Sequence, residues 1–118
     1  MVYIPKQRDL VWIDFDPSKG KEIKKRRPAL VISTNGYNRT TGFCIVSPIT
    51  SNVVRSNPTY YTLNEELETK GQVAVAQIYT MDYSKEANRN IQYIEQLELE
   101  DFLMIQQIEI QIFGFKYM

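Results

Sequence analysis

Any chemistry in this chain must run on arginine, lysine, carboxylate, hydroxyl or tyrosine side chains, because it has no histidine and one cysteine, Cys44. Histidine is the only side chain that titrates near neutrality unperturbed, so an imidazole acid–base pair is excluded. Ser-His and Cys-His nucleophiles and the usual His/Cys zinc sites are excluded with it. What the sequence offers instead is concentrated positive charge. Lys19, Lys21, Lys24, Lys25, Arg26 and Arg27 crowd one short stretch, with Glu22 among them. Up to Arg39, nine cations face four carboxylates, and the rest of the chain is acidic enough to bring the net charge to zero. A basic part within a neutral protein suggests a local anionic partner rather than general coating of nucleic acid. A solvated lysine-rich loop is the alternative that composition leaves open. Taken alone, Arg27 reads as a surface arginine before a strand, and Thr50 as a strand-end hydroxyl capping local backbone.

The elements that must position these groups are short strands. Asp9 to Phe15 (D-L-V-W-I-D-F) is rich in β-branched and aromatic residues and reads as a strand. Asp16-Pro17-Ser18-Lys19-Gly20 breaks it with turn chemistry, and a charged loop runs from Lys21 to Arg27. Pro28 precedes an apolar run, Ala29 to Ile32, short enough to be a buried strand. Asn35-Gly36 and Thr41-Gly42 bracket a turn, and Phe43 to Ser47 forms a third strand that Pro48 ends. Val53 to Pro58 reads as irregular, Thr59 to Leu63 as a strand, and Gln72 to Thr80 as one further strand. Trp12, among apolar neighbours, reads as core or interface.

From Glu95 onward the period becomes helical. Leu99, Phe102, Leu103, Ile110 and Phe113 form one apolar stripe, and Leu97, Met104, Ile105, Ile108 and Ile112 a second on the roughly opposite side. Two stripes suggest burial on both sides, one against the core and one against another subunit. Short strands, turn residues and a late helix point to a mainly β, strongly curved, barrel-like sheet with a C-terminal helix.

A chain of 118 residues is expected to form one domain, residues 1–118. No apolar run approaches the roughly 18–20 residues that span a bilayer, and no signal-peptide pattern opens the chain, so no membrane association is expected. A single cysteine excludes an internal disulfide and suits a reducing cytoplasm. Cys44 lies in an apolar run and reads as core.

The stretch from Asp9 to Ser33 strongly resembles the MazF/PemK toxin family. The pieces are Asp14-Phe15-Asp16-Pro17, Gly20-Lys21-Glu22 and Arg27-Pro28, in the family's usual spacing. The likeness continues through Tyr37-Asn38-Arg39-Thr40-Thr41-Gly42, Ile45-Val46-Ser47-Pro48-Ile49-Thr50 and Gly71-Gln72-Val73-Ala74-Val75-Ala76-Gln77 to the terminal helix. The resemblance implies a small SH3-like barrel of the PemK/CcdB kind and a homodimer. It also implies a sequence-specific endoribonuclease that cuts single-stranded RNA, including mRNA, and is neutralised by a cognate MazE-like antitoxin.

By the same resemblance, cleavage proceeds by attack of the ribose 2′-hydroxyl on the adjacent phosphate, without metal or cofactor, leaving a 2′,3′-cyclic phosphate and a 5′-hydroxyl. Arg27 matches the family's catalytic arginine, whose fork can stabilise charge building on phosphate. Thr50 matches the catalytic threonine, able to donate a hydrogen bond to that phosphate. Glu22, in the G-x-E position, is the candidate acceptor for the 2′-proton. Lys19, Lys21, Lys24, Lys25 and Arg26 are expected to contact RNA phosphates, with Ser51 and Gln77 as further RNA-binding residues. Two positions depart from the family pattern. Ala76 stands where many relatives carry an acidic residue, which moves weight onto Glu22 or onto a mechanism with no dedicated base. Arg8 stands where a glycine is usual, which is expected to alter the local turn more than the function. A non-catalytic SH3-like binding module, or a gyrase poison like CcdB, are the competing readings; the latter is disfavoured by the R-P and P-x-T elements.

Overall fold

The computed structural model describes residues 2–16 and 25–114. Its strands are β1 (Asp9–Asp16), β2 (Lys25–Val31), β3 (Phe43–Thr50), β4 (Tyr60–Thr62), β5 (Gln72–Ala74), β6 (Tyr79–Asp82) and β7 (Gln92–Gln96). Helix α1 (Asn35–Thr41) joins β2 to β3, and helix α2 (Leu99–Phe113) follows β7. The strands pair antiparallel in the order β4-β5-β3-β2-β1-β7, with β6 also laid against β3. This is the expected mainly β class with a C-terminal helix; among the described residues β4 and β7 end the order without pairing to each other.

The middle of the sheet is buried on both faces. Successive strand residues point to opposite sides, so β1 sends Leu10 one way and Val11 and Ile13 the other. Leu10 joins its register partner Leu30, with Ile49, Val73, Leu97 and the α2 residues Phe102 and Ile105, in one core. Val11 and Ile13 join Ala29, Val31, Cys44, Val46 and Met81 in a second. Double-sided burial is why the end of β2, Ala29 to Val31, and the middle of β3 read as apolar runs. Each fully buried Leu, Ile or Val contributes about 1.5–3 kcal/mol, so Leu10→Ala is expected to cost roughly 2–5 kcal/mol. Cys44 is buried and free, as its setting suggested.

Local departures from the expected elements have physical causes. The segment bracketed by Asn35-Gly36 and Thr41-Gly42 is helix α1: the Thr34 side chain caps it by accepting from Tyr37 N, and Gly42 closes it with φ 76°. Strand β3 continues through Pro48 to Thr50. Its outer neighbour changes there, from β6, which reaches Val46, to β5, which begins opposite Ile49. The missing Pro48 N–H therefore removes no ladder bond on that side. The same change of partner splits the expected Gln72–Thr80 strand into β5 and β6, with a turn closed by Gln77 N–H donating to Ala74 O at 3.0 Å.

β7 occupies residues where a helix was expected to begin at Glu95, and α2 starts only at Leu99. The two stripes are unequally buried. The second supplies Leu97 and Ile105 to the core, with Ile108 packed on it and Met104 and Ile112 exposed; the first supplies Phe102, with Leu99, Leu103, Ile110 and Phe113 exposed. Arg8 takes φ 79°, the left-handed region that favours glycine. Its Nε donates to Leu97 O at 2.9 Å, and its backbone bonds both Val31 and Leu97, tying the entry of β1 to the start of α2.

Candidate functional site

A hollow of about 560 Å³ opens where β2 begins and β3 ends. β2 contributes Arg26, Arg27 and Pro28; the end of β3 and the residues after it contribute Ile49, Thr50, Ser51 and Asn52. Trp12 of β1 and Ile94 of β7 form another side, and Glu68, Thr69 and Lys70, from the β4–β5 connection, close the last. Strand register brings Arg27 and Thr50 together. The last pairs between β2 and β3 are Leu30 with Ser47 and Ala29 with Pro48. Carried two positions further, that antiparallel register sets Arg27 opposite Thr50.

The two arginines do different things. Arg26 Nη1 pairs with the Asp14 carboxylate at 3.1 Å and also reaches Asn90 O at 2.8 Å, while Nη2 reaches Gln92 Oε1 at 3.3 Å. Asp14 is buried and also accepts from Asn90 Nδ2 at 2.8 Å. Arg26 thus neutralises a buried carboxylate and joins β1, β2 and β7. Arg27 is exposed and makes no hydrogen bond or ion pair among the described residues. Its guanidinium fork is available to an incoming anion.

The Thr50 hydroxyl accepts from Asn52 N–H at 3.1 Å. The local capping that spacing suggested is therefore present. It also orients Oγ1 while leaving the hydroxyl hydrogen to donate into the hollow. Gly71, at φ 119°, lies against the Thr50 backbone and forms part of the same framework. The Gln72 amide pins the segment after Asn52: Oε1 accepts from Val54 N at 2.7 Å, and Nε2 donates to Val54 O at 3.2 Å and Thr62 Oγ1 at 3.0 Å.

The opposite wall is held by Glu95 of β7. Its carboxylate accepts from the amide and hydroxyl of Thr69, each at 2.7 Å, and from Glu68 N–H at 3.2 Å. Burial pushes this carboxyl up, but the Thr69 and Glu68 hydrogen bonds, with Lys70 nearby, outweigh it and leave Glu95 below its ordinary value.

Of the residues expected to act, Arg27, Thr50, Arg26 and Ser51 line one hollow. Gln77 is exposed in the turn after β5 and does not line it. Lys25 begins β2 opposite Asp16. Glu22, Lys19, Lys21 and Lys24 fall outside the described residues. Trp12 is not in the core: it is 39% exposed and lines the hollow. Glu68, Thr69 and Lys70 went unnoticed in the sequence because nothing in their spacing links a polar connection to a site formed by other strands. Among the described residues, no three His, Cys, Asp or Glu side chains are grouped to hold a metal ion, and no helix is long and apolar enough to cross a membrane. A hollow of this size with a free guanidinium and a hydroxyl donor can hold a phosphate and its substituents.

Similarity to known proteins points the same way. Residues 6–113 match the model of the PemK-like, MazF-like toxins of type II toxin–antitoxin systems. The endoribonuclease toxin MazF of Escherichia coli K12 is 49% identical over 49 residues, 42% of this chain and 44% of that protein. Endoribonuclease MazF9 of Mycobacterium tuberculosis is 36% identical over 58 residues, 44% of this chain and 49% of that protein. The chain thus spans less than half the length of the curated relatives it matches. The MazE–MazF crystal structure (Form-II) from Deinococcus radiodurans superposes with a TM-score of 0.84 at 28% identity, covering 97% of this chain and 99% of that one. MazF (Form-I) from the same organism gives 0.80 at 28% identity, with 96% and 99% covered. With the family pattern running from Lys6 to Phe113 and a matching fold, this chain belongs to the PemK-like, MazF-like toxins of type II toxin–antitoxin systems.

Proposed function

We propose that the chain is a sequence-specific, metal-independent endoribonuclease toxin acting on single-stranded RNA, including mRNA, with Arg27 and Thr50 at the scissile phosphate. The observation that carries this reading is the hollow itself, lined by an exposed arginine with no partner among the described residues and by a threonine hydroxyl held by Asn52, both just beyond the last β2–β3 pair.

In the proposed step the ribose 2′-oxygen attacks phosphorus and the bond to the 5′-oxygen breaks. The 2′-proton passes to a carboxylate, assigned to Glu22, and the departing 5′-oxygen takes a proton from water or from a neighbouring donor. Arg27 stabilises the charge that builds on the non-bridging oxygens. Electrostatic stabilisation is its first role and proton donation at most its second. The Thr50 hydroxyl donates to one of the same oxygens and fixes the phosphate in line. Lys19, Lys21, Lys24 and Lys25 supply positive charge along the RNA path, Arg26 adds field while holding Asp14, and Ser51 and Gln77 bind RNA beyond the cleaved bond.

The proposal extends to a single toxin domain over residues 1–118, a homodimer, a MazE-like antitoxin as the neutralising partner, and a cytoplasmic setting. Support for the partner comes from the MazE–MazF complex among the similar structures. The test is to incubate the full chain with long RNA in EDTA and map the new 5′-hydroxyl ends by sequencing. Cuts at one short motif are expected. No cutting by folded protein, or cutting that requires added divalent ion, would overturn the proposal.

A further inference from the structure

We propose that Trp12 is the stacking platform for a nucleobase adjoining the phosphate held at Arg27 and Thr50, so that the hollow binds a nucleotide unit and not a bare phosphate. This rests on the ribonuclease reading and adds a residue that the sequence pattern placed in the core or in an interface.

Trp12 sits in mid-strand between Val11 and Ile13, both fully buried, yet it is itself 39% exposed. A large aromatic at the centre of a sheet is ordinarily covered by the fold. Here the fold leaves it partly open, and it lines the hollow. Its register partners are Pro28 on β2 and Gln92 on β7. Paired residues share a face of the sheet, so the indole stands beside Pro28, while Arg27, paired with Ile13, leaves the strand on the other face; the two meet as lining of the one hollow at the strand end. Ile94 and Ile49 extend the same apolar floor.

The other exposed rings are differently placed: Phe43 and Phe113 do not line the hollow, and the two tyrosines pack on neighbouring rings. Tyr79 meets Phe15 edge-on at 5.2 Å, and Tyr93 tilts against Tyr3 at 6.1 Å. Trp12 has no ring partner among the described residues. A flat apolar ring and a guanidinium with no partner among the described residues, lining one hollow, match the two halves of a nucleotide, a planar base and an anionic phosphate. Base–aromatic stacking tolerates any base, so Trp12 contributes affinity and placement, while choice of sequence falls to polar groups elsewhere.

Trp12 is the chain's single tryptophan, so intrinsic tryptophan fluorescence reads this site alone. The experiment titrates the full chain with a mixed-sequence single-stranded oligodeoxynucleotide, which lacks the 2′-hydroxyl and resists cleavage, and in parallel with inorganic polyphosphate. Saturable quenching by the oligonucleotide, and little by polyphosphate, is expected. By anisotropy, Trp12→Ala should weaken oligonucleotide binding roughly 5- to 100-fold, Trp12→Phe should restore it to within about threefold, and polyphosphate binding should not change in either. Equal quenching by polyphosphate, or undiminished oligonucleotide binding by Trp12→Ala, overturns the inference. So does emission that shifts with protein concentration alone, which would place the indole under a second copy of the chain. The wild-type arms need no variant to fold. Wild type that cuts RNA without oligonucleotide quenching keeps the nuclease and loses the platform; wild type that neither cuts nor binds loses both.

Discussion

Gly71 lies so close to Thr50 that a Cβ built on it would stand 2.1 Å from the Thr50 carbonyl oxygen. Its φ of 119° is also one that side chains rarely adopt, so both backbone and space demand glycine. The Thr50 backbone is therefore held against Gly71, directly before β5, where Thr50 lines the hollow. Gly71→Ala is expected to destabilise the fold by about 1–3 kcal/mol. Pushing Thr50 off its position should also lower cleavage at least about tenfold at a temperature where the variant is still folded. Thermal melts and initial rates on the same preparation check both parts.

Asp14 is the second structural dependency of the site. Removing it leaves Arg26 without its main partner and loosens the junction of β1, β2 and β7 just before Arg27. Because Arg26 is partly solvated, Asp14→Ala should cost roughly 2–3 kcal/mol, below the range for a fully buried pair. Urea denaturation measures this; a loss under about 0.5 kcal/mol, the range of ordinary surface changes, would contradict the role given to the pair.

Glu95 gives the protein an acid-sensitive wall. Its carboxyl titrates below the ordinary 4.5 in the folded chain, held there by Thr69 and Glu68 against the opposing effect of burial. The stability it contributes is complete above pH 4.5 and is lost as pH falls through the depressed value. Glu95→Gln should lower stability at pH 7 by about 1–2 kcal/mol and flatten the acid side of the stability–pH curve relative to wild type. An acid limb identical to that of wild type would remove Glu95 from this role.

Cys44 is expected to be chemically silent in the native protein. Burial pushes its thiol from 9.0 up to about 12, so almost no thiolate exists at pH 8, and the thiolate is the nucleophile. Its stabilising contribution is complete below pH 9 and declines as pH rises toward the folded value. Mass spectrometry after iodoacetamide treatment at pH 8 should find Cys44 unmodified in native protein and alkylated in denaturant.

What was legible in the sequence depended on what each residue's signal competes with. β1 was readable because its β-branched and aromatic residues form an unbroken run, and Cys44 because it sits inside one. α1 was hidden by its own glycines, although Thr34 and Gly42 are the caps that mark it. β7 was missed because Gln92–Gln96 is polar and lies at the end of the strand order, where no second strand demands apolar alternation. Pro48 misled because its cost depends on which strand lies beyond it, a tertiary fact. At the site, the family pattern pointed to Arg27 and Thr50, but their apposition comes from β2–β3 register. Arg26 and Arg27 are indistinguishable in sequence and separate only once Asp14 is seen to pair with the first. Trp12 read as core or interface because its neighbours are core; its exposure removes the core alternative.

The central claim is that Arg27 and Thr50 act together on one phosphate. Its most direct test is a double-mutant cycle of cleavage rates on one RNA for wild type, Arg27→Ala, Thr50→Val and the double variant, each checked for native fold. Loss of about 100- to 1,000-fold is expected for Arg27→Ala, about 10- to 100-fold for Thr50→Val, and a double variant much less impaired than the product of the two. Near-normal turnover by Arg27→Ala, or losses that simply multiply, would contradict the account.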